Sequence, residues 1–292
     1  MTSFSDLPPL LLVRGVSKSY GSVSALNDVS AEFYSGEIHA VLGENGAGKS
    51  TLMGMIGGFV VPDRGSIEFR GASLAVGKPF AIRDMGIKMV HQHFMLVPQL
   101  TVRENFALAQ IEGGLRKLEA GDLAESAVLK GRELGWEVDL DMRAGDLPVG
   151  AQQRVEILKA LAGEADVLIL DEPTAVLSPA EVDDLFWVLR QLRDQGKVVL
   201  LIAHKLSEVM AIADRVTVLR KGEFVASCAI EGTNASQLSG WMVGEIPVSG
   251  EWIAPATGNV LVRAVDLVGV DDRGVRTVDG VNIEVRGGEI FG

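Results

Sequence analysis

The most apolar stretches of the chain are short and end abruptly: Val167–Leu170 and Val198–Ala203. Continuous apolar runs of this length fit strands buried on both faces of a parallel sheet, since a sheet with one wet face would alternate apolar and polar positions. Leu10–Val16, Val23–Phe33 and Glu37–Leu42 also read as strands, broken by Gly21 and by Ser35-Gly36. After Ser66–Phe69 and the strand Ile87–Val90 the spacing turns helical over 101–134 and 151–162, so residues 93–164 read as a mainly helical insert. Strand Val167–Leu170, helix Pro179–Asp194, strand Lys197–Ala203, a helix at 205–213 and strands Arg215–Leu219 and Glu223–Cys228 then restore an α/β alternation. One helix start is well marked. Ser178-Pro179-Ala180-Glu181 supplies in order a hydroxyl cap, a first-turn proline and a capping-box glutamate.

Past Val243 the pattern changes. Residues 244–258 mix Gly, Pro, Ser and Thr and read as a linker. The chain then begins again: Leu261-Val262-Arg263 repeats Leu12-Val13-Arg14, and Val281–Ile290 parallels Val29–Ile38, given a short insertion near Asp271–Arg273. Gly292 falls opposite Ala40, so the expectation is a truncated sequence whose last segment is the first hairpin of a second copy.

A chain of 292 residues, 47% hydrophobic, can bury one large or two ordinary domains. Its net charge of −12 disfavours a nucleic-acid partner. The single cysteine, Cys228, excludes an internal disulfide framework, fits a reducing compartment and reads as a small buried apolar residue. The N-terminus has no basic stretch before an apolar one, and no apolar run reaches the ~20 residues of a membrane-spanning helix, so a cytoplasmic protein is expected.

The chemistry is carried by Gly43, Glu44, Asn45, Gly46, Ala47, Gly48, Lys49, Ser50 and Thr51, between the run Ile38–Leu42 and a helix-like stretch from Lys49. Glycines in a strand-to-helix turn let successive amides point inward around phosphates. Lys49 suits the β/γ-phosphates, the Ser50 hydroxyl suits Mg²⁺, and the following helix adds positive potential at its N-terminus. A plain glycine turn would account for the glycines and leave Lys-Ser-Thr unexplained. Val167–Leu170 ends in Asp171 and Glu172, the arrangement by which phosphate-loop ATPases hold magnesium and polarise water; strand-end surface acids are the plainer alternative.

With these motifs in order, the sequence from about Leu10 to Pro247 resembles the ATP-binding cassette (ABC) family. The resemblance implies an α/β phosphate-loop NTPase core with an antiparallel β subdomain and an inserted helical subdomain. Residues 1–243 would be one nucleotide-binding domain, 244–258 a linker and 259–292 the start of a second. By position, Tyr20 takes the place of the adenine-stacking aromatic, Gln92 that of the loop glutamine contacting Mg²⁺ and water, and His204 that of the histidine on the γ-phosphate. Taken singly, Tyr20 could equally be a core aromatic, Gln92 a solvated loop residue and His204 a satisfied strand-end histidine. Asp171 would hold the metal with Ser50 and Gln92, and Glu172 would act as general base.

The signature segment departs from the family's Leu-Ser-Gly-Gly-Gln. Here it reads Leu147-Pro148-Val149-Gly150-Ala151 followed by Gln152, with Ser178 where many members place an aspartate. Gly150 and the helix start beside Gln152 can still offer backbone N–H groups. Met89–Pro98 and Leu147–Ile157 resemble the double-cassette ATPases of simple-sugar and nucleoside importers, the His91–Pro98 run most the nucleoside branch. That implies ATP and Mg²⁺, integral-membrane permease subunits, an extracytoplasmic solute-binding protein, a second cassette, and a peripheral location on the cytoplasmic face of the plasma membrane. A soluble cassette ATPase acting on ribosomes or DNA would usually show basic surfaces or a long charged linker. A GTPase would need Asn-Lys-x-Asp, which is absent.

In this family the signature of one domain completes the site of the other, so two uneven sites are expected, with Lys49, Glu172 and His204 in the competent one. Pro148→Ser in a full-length protein should therefore leave ATP turnover nearly unchanged; a large rise would overturn the uneven pair.

Overall fold

The computed structural model describes residues 8–111, 120–244, 258–271, 274–289 and 291, and of 109–111 and 120–122 only the backbone. The chain divides into two compact units, Met1–Glu245 and Ile246–Gly292. The first unit opens with β1 (Leu11–Tyr20), β2 (Val23–Phe33), β3 (Ile38–Leu42), α1 (Lys49–Ile56), β4 (Arg64–Phe69), β5 (Ala72–Ser73), α2 (Pro79–Asp84) and β6 (Ile87–Val90). Three helices follow, α3 (Val102–Ile111), α4 (Ala120–Glu133) and α5 (Val149–Leu161). The unit closes with β7 (Val167–Asp171), α6 (Pro179–Asp194), β8 (Val198–Ile202), α7 (Leu206–Ile212), β9 (Arg215–Arg220), β10 (Glu223–Ala229) and α8 (Ala235–Val243).

Two sheets result. The larger runs β10-β9-β3-β8-β7-β6, parallel throughout except for β10; the smaller is antiparallel, β2-β1-β4-β5. The apolar runs are the larger sheet's central strands, and every residue of β3, β7 and β8 is buried. Alternate side chains enter different cores. Leu42, Leu168, Leu170, Val199 and Leu201 join helices α3 to α6, while Val41, Val167, Ile169, Val198, Leu200 and Ile202 meet α1 and the antiparallel sheet. Both faces need apolar residues, so β8 and β7 up to Leu170 are uninterrupted apolar runs, while β3 carries one buried polar residue, His39.

The elements differ from the sequence reading in places. β1 continues to Tyr20, because irregular pairing after Val13 breaks the alternation that would have marked its second half. Helices α2 and α8 were not expected. The first has six residues led by Pro79, and the second, capped by Asn234 Oδ1 accepting the Gln237 amide at 2.9 Å, buries only Leu238. Cys228 is half-buried rather than a core residue, its Sγ 3.5 Å from Thr233 Oγ1. Most of the expected linker, residues 245–257, lies outside the described residues, as do 112–119 of the helical stretch.

The second unit is a hairpin of β11 (Val260–Val270) and β12 (Arg276–Arg286). Its pairing corrects the expected alignment of the repeat. Leu11, Val13 and Val16 face Phe33, Ala31 and Val29, and Val262, Ala264 and Leu267 face Val285, Ile283 and Val281. Val262 thus corresponds to Leu11, so the match of Leu261-Val262-Arg263 with Leu12-Val13-Arg14 is displaced by two residues. Left-handed backbone falls at Gly15 and Asp266 on the first strands and at Asp28 and Gly280 on the second. The Gly15 amide donates to Ser30 Oγ as that of Asp266 donates to Asn282 Oδ1, both at 2.9 Å.

The capping box at Ser178 forms as the sequence predicts, with the Glu181 carboxylate returning to the Ser178 amide at 2.9 Å. Ser178→Ala should lower stability by about 1 kcal/mol, read as a shift in the urea midpoint at unchanged slope. No shift would mean the box is idle.

Candidate active site

Parallel register brings the candidate residues to one edge of the large sheet. Val41 and Asp171 both pair with Ile202, and Val90 pairs with Leu170. The chain therefore leaves β3 into the glycine loop, β6 into His91-Gln92, β7 into Glu172 and β8 into His204 at the same carboxyl end, where open α/β sheets bind ligands.

Close packing and backbone shape the loop after β3. A Cβ on Gly43 would stand 2.3 Å from the Leu219 carbonyl oxygen, and one on Gly48 would stand 2.5 Å from that of Ala25. Only glycine lets the loop sit down on β9 and β2. Gly46 and Gly48 have φ of 80° and 100°. Ala47 is buried, its amide bonding the Glu44 carbonyl at 3.1 Å, while Glu44, Asn45 and Gly46 are exposed. At the start of α1, Gly48 offers no side-chain cap and no acid occupies the first turn, so the helix presents bare amides there.

Lys49 turns back into this loop, its Nζ donating to the Gly43 and Glu44 carbonyl oxygens at 2.8 and 3.0 Å. Burial draws its pKa below the ordinary lysine value, against the opposing pull of the Glu172 and Asp171 carboxylates. Asp171 is shifted the other way. Burial and then the Glu172 charge raise its carboxyl above the usual range, opposed by His91, Lys49 and a hydrogen bond with Ser50. Asp171 Oδ1 is buried without a hydrogen-bond partner.

Glu172 sits at φ 50°, uncommon outside glycine, with its amide held by the Ile202 carbonyl at 3.0 Å. One carboxylate oxygen accepts from Gln92 Nε2 at 3.1 Å, and the other meets His204 Nε2. Gln92, Glu172 and His204 are thus in direct contact, Lys49 and Asp171 are coupled to Glu172 by charge, and Ser50 is hydrogen-bonded to Asp171. Tyr20 is no core aromatic: it ends β1 half exposed, with the Lys18 ammonium 5.7 Å from its ring centre. Its hairpin reaches the glycine loop where Ala25 and Leu26 abut Gly48. Thr51 lies in the first turn of α1, half-buried. Gly150 and Gln152 make their contacts elsewhere. A Cβ on Gly150 would fall 1.8 Å from Glu181 Oε1, and Gln152 Nε2 donates to the Leu147 carbonyl at 2.9 Å.

Sequence reasoning missed the supports. The buried Thr174 hydroxyl donates to Glu208 at 2.6 Å, linking the loop after Glu172 to the helix after His204. The His91 ring packs edge-on against Phe59 at 5.2 Å. His91 lies in the Met89–Pro98 run and Thr174 follows Asp171-Glu172-Pro173, but the sequence gives neither contact, because the partners Phe59 and Glu208 are distant along the chain.

The model of the family described as "ABC transporter" matches residues 26–175. The chain belongs to the ABC transporter family. This cassette is 40% identical to the glucose import ATP-binding protein TsgD13 of Haloferax volcanii, over 97% of this chain and 57% of that protein. It is also 40% identical to the nucleoside import ATP-binding protein NupA of Lactococcus lactis, over 95% of this chain and 55% of that one. It therefore spans just over half the length of these curated relatives. Among solved structures it is similar to the ADP conformation of MJ1267, an ATP-binding cassette of an ABC transporter, with 26% identity, a TM-score of 0.72 and 82% and 100% of the two chains covered. The cassette fold expected from the motifs is the fold observed.

The raised Asp171 carboxyl has a consequence for the cassette without ligand. A group that holds its proton more tightly when folded supports stability at low pH and loses that support as pH rises through its folded value. Asp171→Asn should therefore be more urea-resistant than wild type at neutral pH, with the difference closing as pH falls below the carboxyl range. A gap that stays constant with pH would refute the assignment.

Proposed function

We propose that this chain is the ATP-binding and hydrolysing part of an ABC importer that moves a simple sugar or nucleoside through partner membrane permeases. The observation that carries the reading is the meeting of Lys49, Asp171, Glu172, Gln92 and His204 at one sheet edge. The glycine loop and the first amides of α1 would cradle the phosphates, Lys49 would exchange its two carbonyl partners for β/γ-oxygens, and Tyr20 would stack on the base. Glu172 would take a proton from the attacking water, with Gln92 orienting that water and His204 contacting the γ-phosphate.

A magnesium ion fits the donors present. Asp171 carries a buried oxygen without a partner beside Ser50, and Gln92 stands at the same edge. Among the described residues no cluster of three His, Cys, Asp or Glu could cage a metal, which suits an ion that keeps waters and phosphate oxygens as ligands. When bound, Mg²⁺ would neutralise charge on the transferred phosphoryl group.

Hydrolysis would do work because the site is shared. In this reading the Gly150 end of α5, with Gln152, faces the nucleotide of a second cassette, either in a longer chain or in a second copy, and ATP draws the two together. Departure of Pro148 from serine then weakens one of the two sites. Exposed Phe59 after α1, Phe80 in α2, Met85 at its end and Met95 after Gln92 would be available for contact with a permease. In this reading the chain is a peripheral subunit on the cytoplasmic face of the membrane; no helix among the described residues is long and apolar enough to cross one. A solute-binding protein outside would deliver the solute, and residues 259–292 would open the second cassette.

Lys49→Ala should weaken ATP binding by on the order of a hundredfold. Glu172→Gln should bind ATP as wild type does and turn over at least about a hundredfold more slowly. Equal turnover by Glu172→Gln would remove the general-base role, and failure of an integral-membrane permease to co-purify with the protein would remove the transport reading.

A further inference from the structure

The segment that follows β6 begins with Gln92 on the Glu172 carboxylate, and two buried polar side chains hold its remainder. Asn105 in α3, 4% exposed, accepts the Val97 amide at 2.7 Å and donates to the Val97 and Thr101 carbonyl oxygens at 3.1 and 3.0 Å. Glu156 in α5, 5% exposed, accepts the Met95 amide at 2.8 Å and pairs with Lys159 at 2.9 Å. Val155, Ile157, Leu158 and Leu161 on the same helix are core residues. A buried carboxylate among them is expensive unless every oxygen is partnered, and a hydrophobic side chain there would usually serve stability as well or better.

We infer that Glu156 is a positioning residue that ties the signature helix to the catalytic carboxylate. The tie runs from α5 through the Met95 backbone and three residues of chain to Gln92, and from Gln92 Nε2 to Glu172. The helix that begins beside Leu147–Gly150 thus reports its place to the water-activating group of its own cassette, although Gly150 and Gln152 touch neither. Asn105 of α3 holds the segment at Val97 and Glu156 of α5 holds it at Met95, so the stretch after Gln92 is pinned to two helices of the insert. The effect on turnover rests on the ATPase reading; the mechanical link does not.

Hydrogen–deuterium exchange on the whole 292-residue chain, with Glu156→Ala and Glu156→Gln, tests the inference. Without nucleotide, the Met95 amide should exchange about tenfold faster in Glu156→Ala and stay within about threefold of wild type in Glu156→Gln, whose amide oxygen still accepts. On adding ATP, residues 149–161 should gain protection in wild type and Glu156→Gln and not in Glu156→Ala, with ATP affinity unchanged. In steady state Glu156→Ala should lower kcat about tenfold at unchanged KM. An ATP response of α5 that persists in Glu156→Ala overturns the inference, as does equal loss in both variants accompanied by weaker ATP binding, which marks a merely structural role. Should Lys49→Ala bind ATP as tightly as wild type, the nucleotide reading fails by itself, and the nucleotide-free exchange of Met95 still decides whether the tie exists.

Discussion

Five strands running the same way in one sheet decide where the candidate site lies. Parallel pairing of β3, β6, β7, β8 and β9 sends every loop that follows them out at one edge, and lateral register fixes their depths relative to one another. The row through Val41, Ile202 and Asp171 is the last common level before the glycine loop, the twin acids and the histidine diverge. A single-residue slip of β7 would turn Asp171 from one core to the other and carry Glu172 away from Gln92 and His204. The apolar runs that make register costly to change, buried on both faces, are therefore also what positions the site.

The electrostatics at that edge suit the charged ligand proposed above. Lys49 and Asp171 are both buried and both pushed by burial toward their neutral forms, each partly rescued by the other. Such a pair is poorly solvated by protein alone. A polyphosphate with a divalent cation would supply the charges each lacks, the phosphates to Lys49 and the cation to the free oxygen of Asp171. The left-handed turn at Glu172 fits the same economy: backbone strain is tolerated where it aims a carboxylate between Gln92 and His204.

The sequence made the centre of this arrangement legible because the signals there are local. A glycine loop between an apolar run and a helix, or two acids closing such a run, can be read within a few residues. Tyr20, Gln92 and His204 became readable only through their order along the chain, since each alone has an ordinary explanation. Helix α2 stayed hidden because six residues are too few to show a period. Glu156 and Thr174 stayed hidden for another reason: their partners lie 61 and 34 residues away, and nothing near either announces the contact. Supports of a site are tertiary facts, and only the packed chain displays them.

The hairpin β11–β12 shows how identity of letters can mislead even where a repeat is real. Leu-Val-Arg occurs in both copies, yet the strands are equivalent two positions away from that match. A displacement of one would have put apolar side chains on the wrong face and been obvious; a displacement of two preserves the alternation and leaves pattern reading no means of detecting it. What settles the register is the irregularity. Gly15 opposite the Asp28 region and Asp266 opposite the Gly280 region each require a left-handed residue, which glycine and aspartate tolerate better than most. The amide freed at Gly15 and at Asp266 is taken up by the side chain of Ser30 and of Asn282, residues that hold equivalent places on the second strands. Bulge, backbone hand and side-chain acceptor agree on one alignment, and three unlike pairs of residues that serve the same geometry outweigh three identical ones that do not.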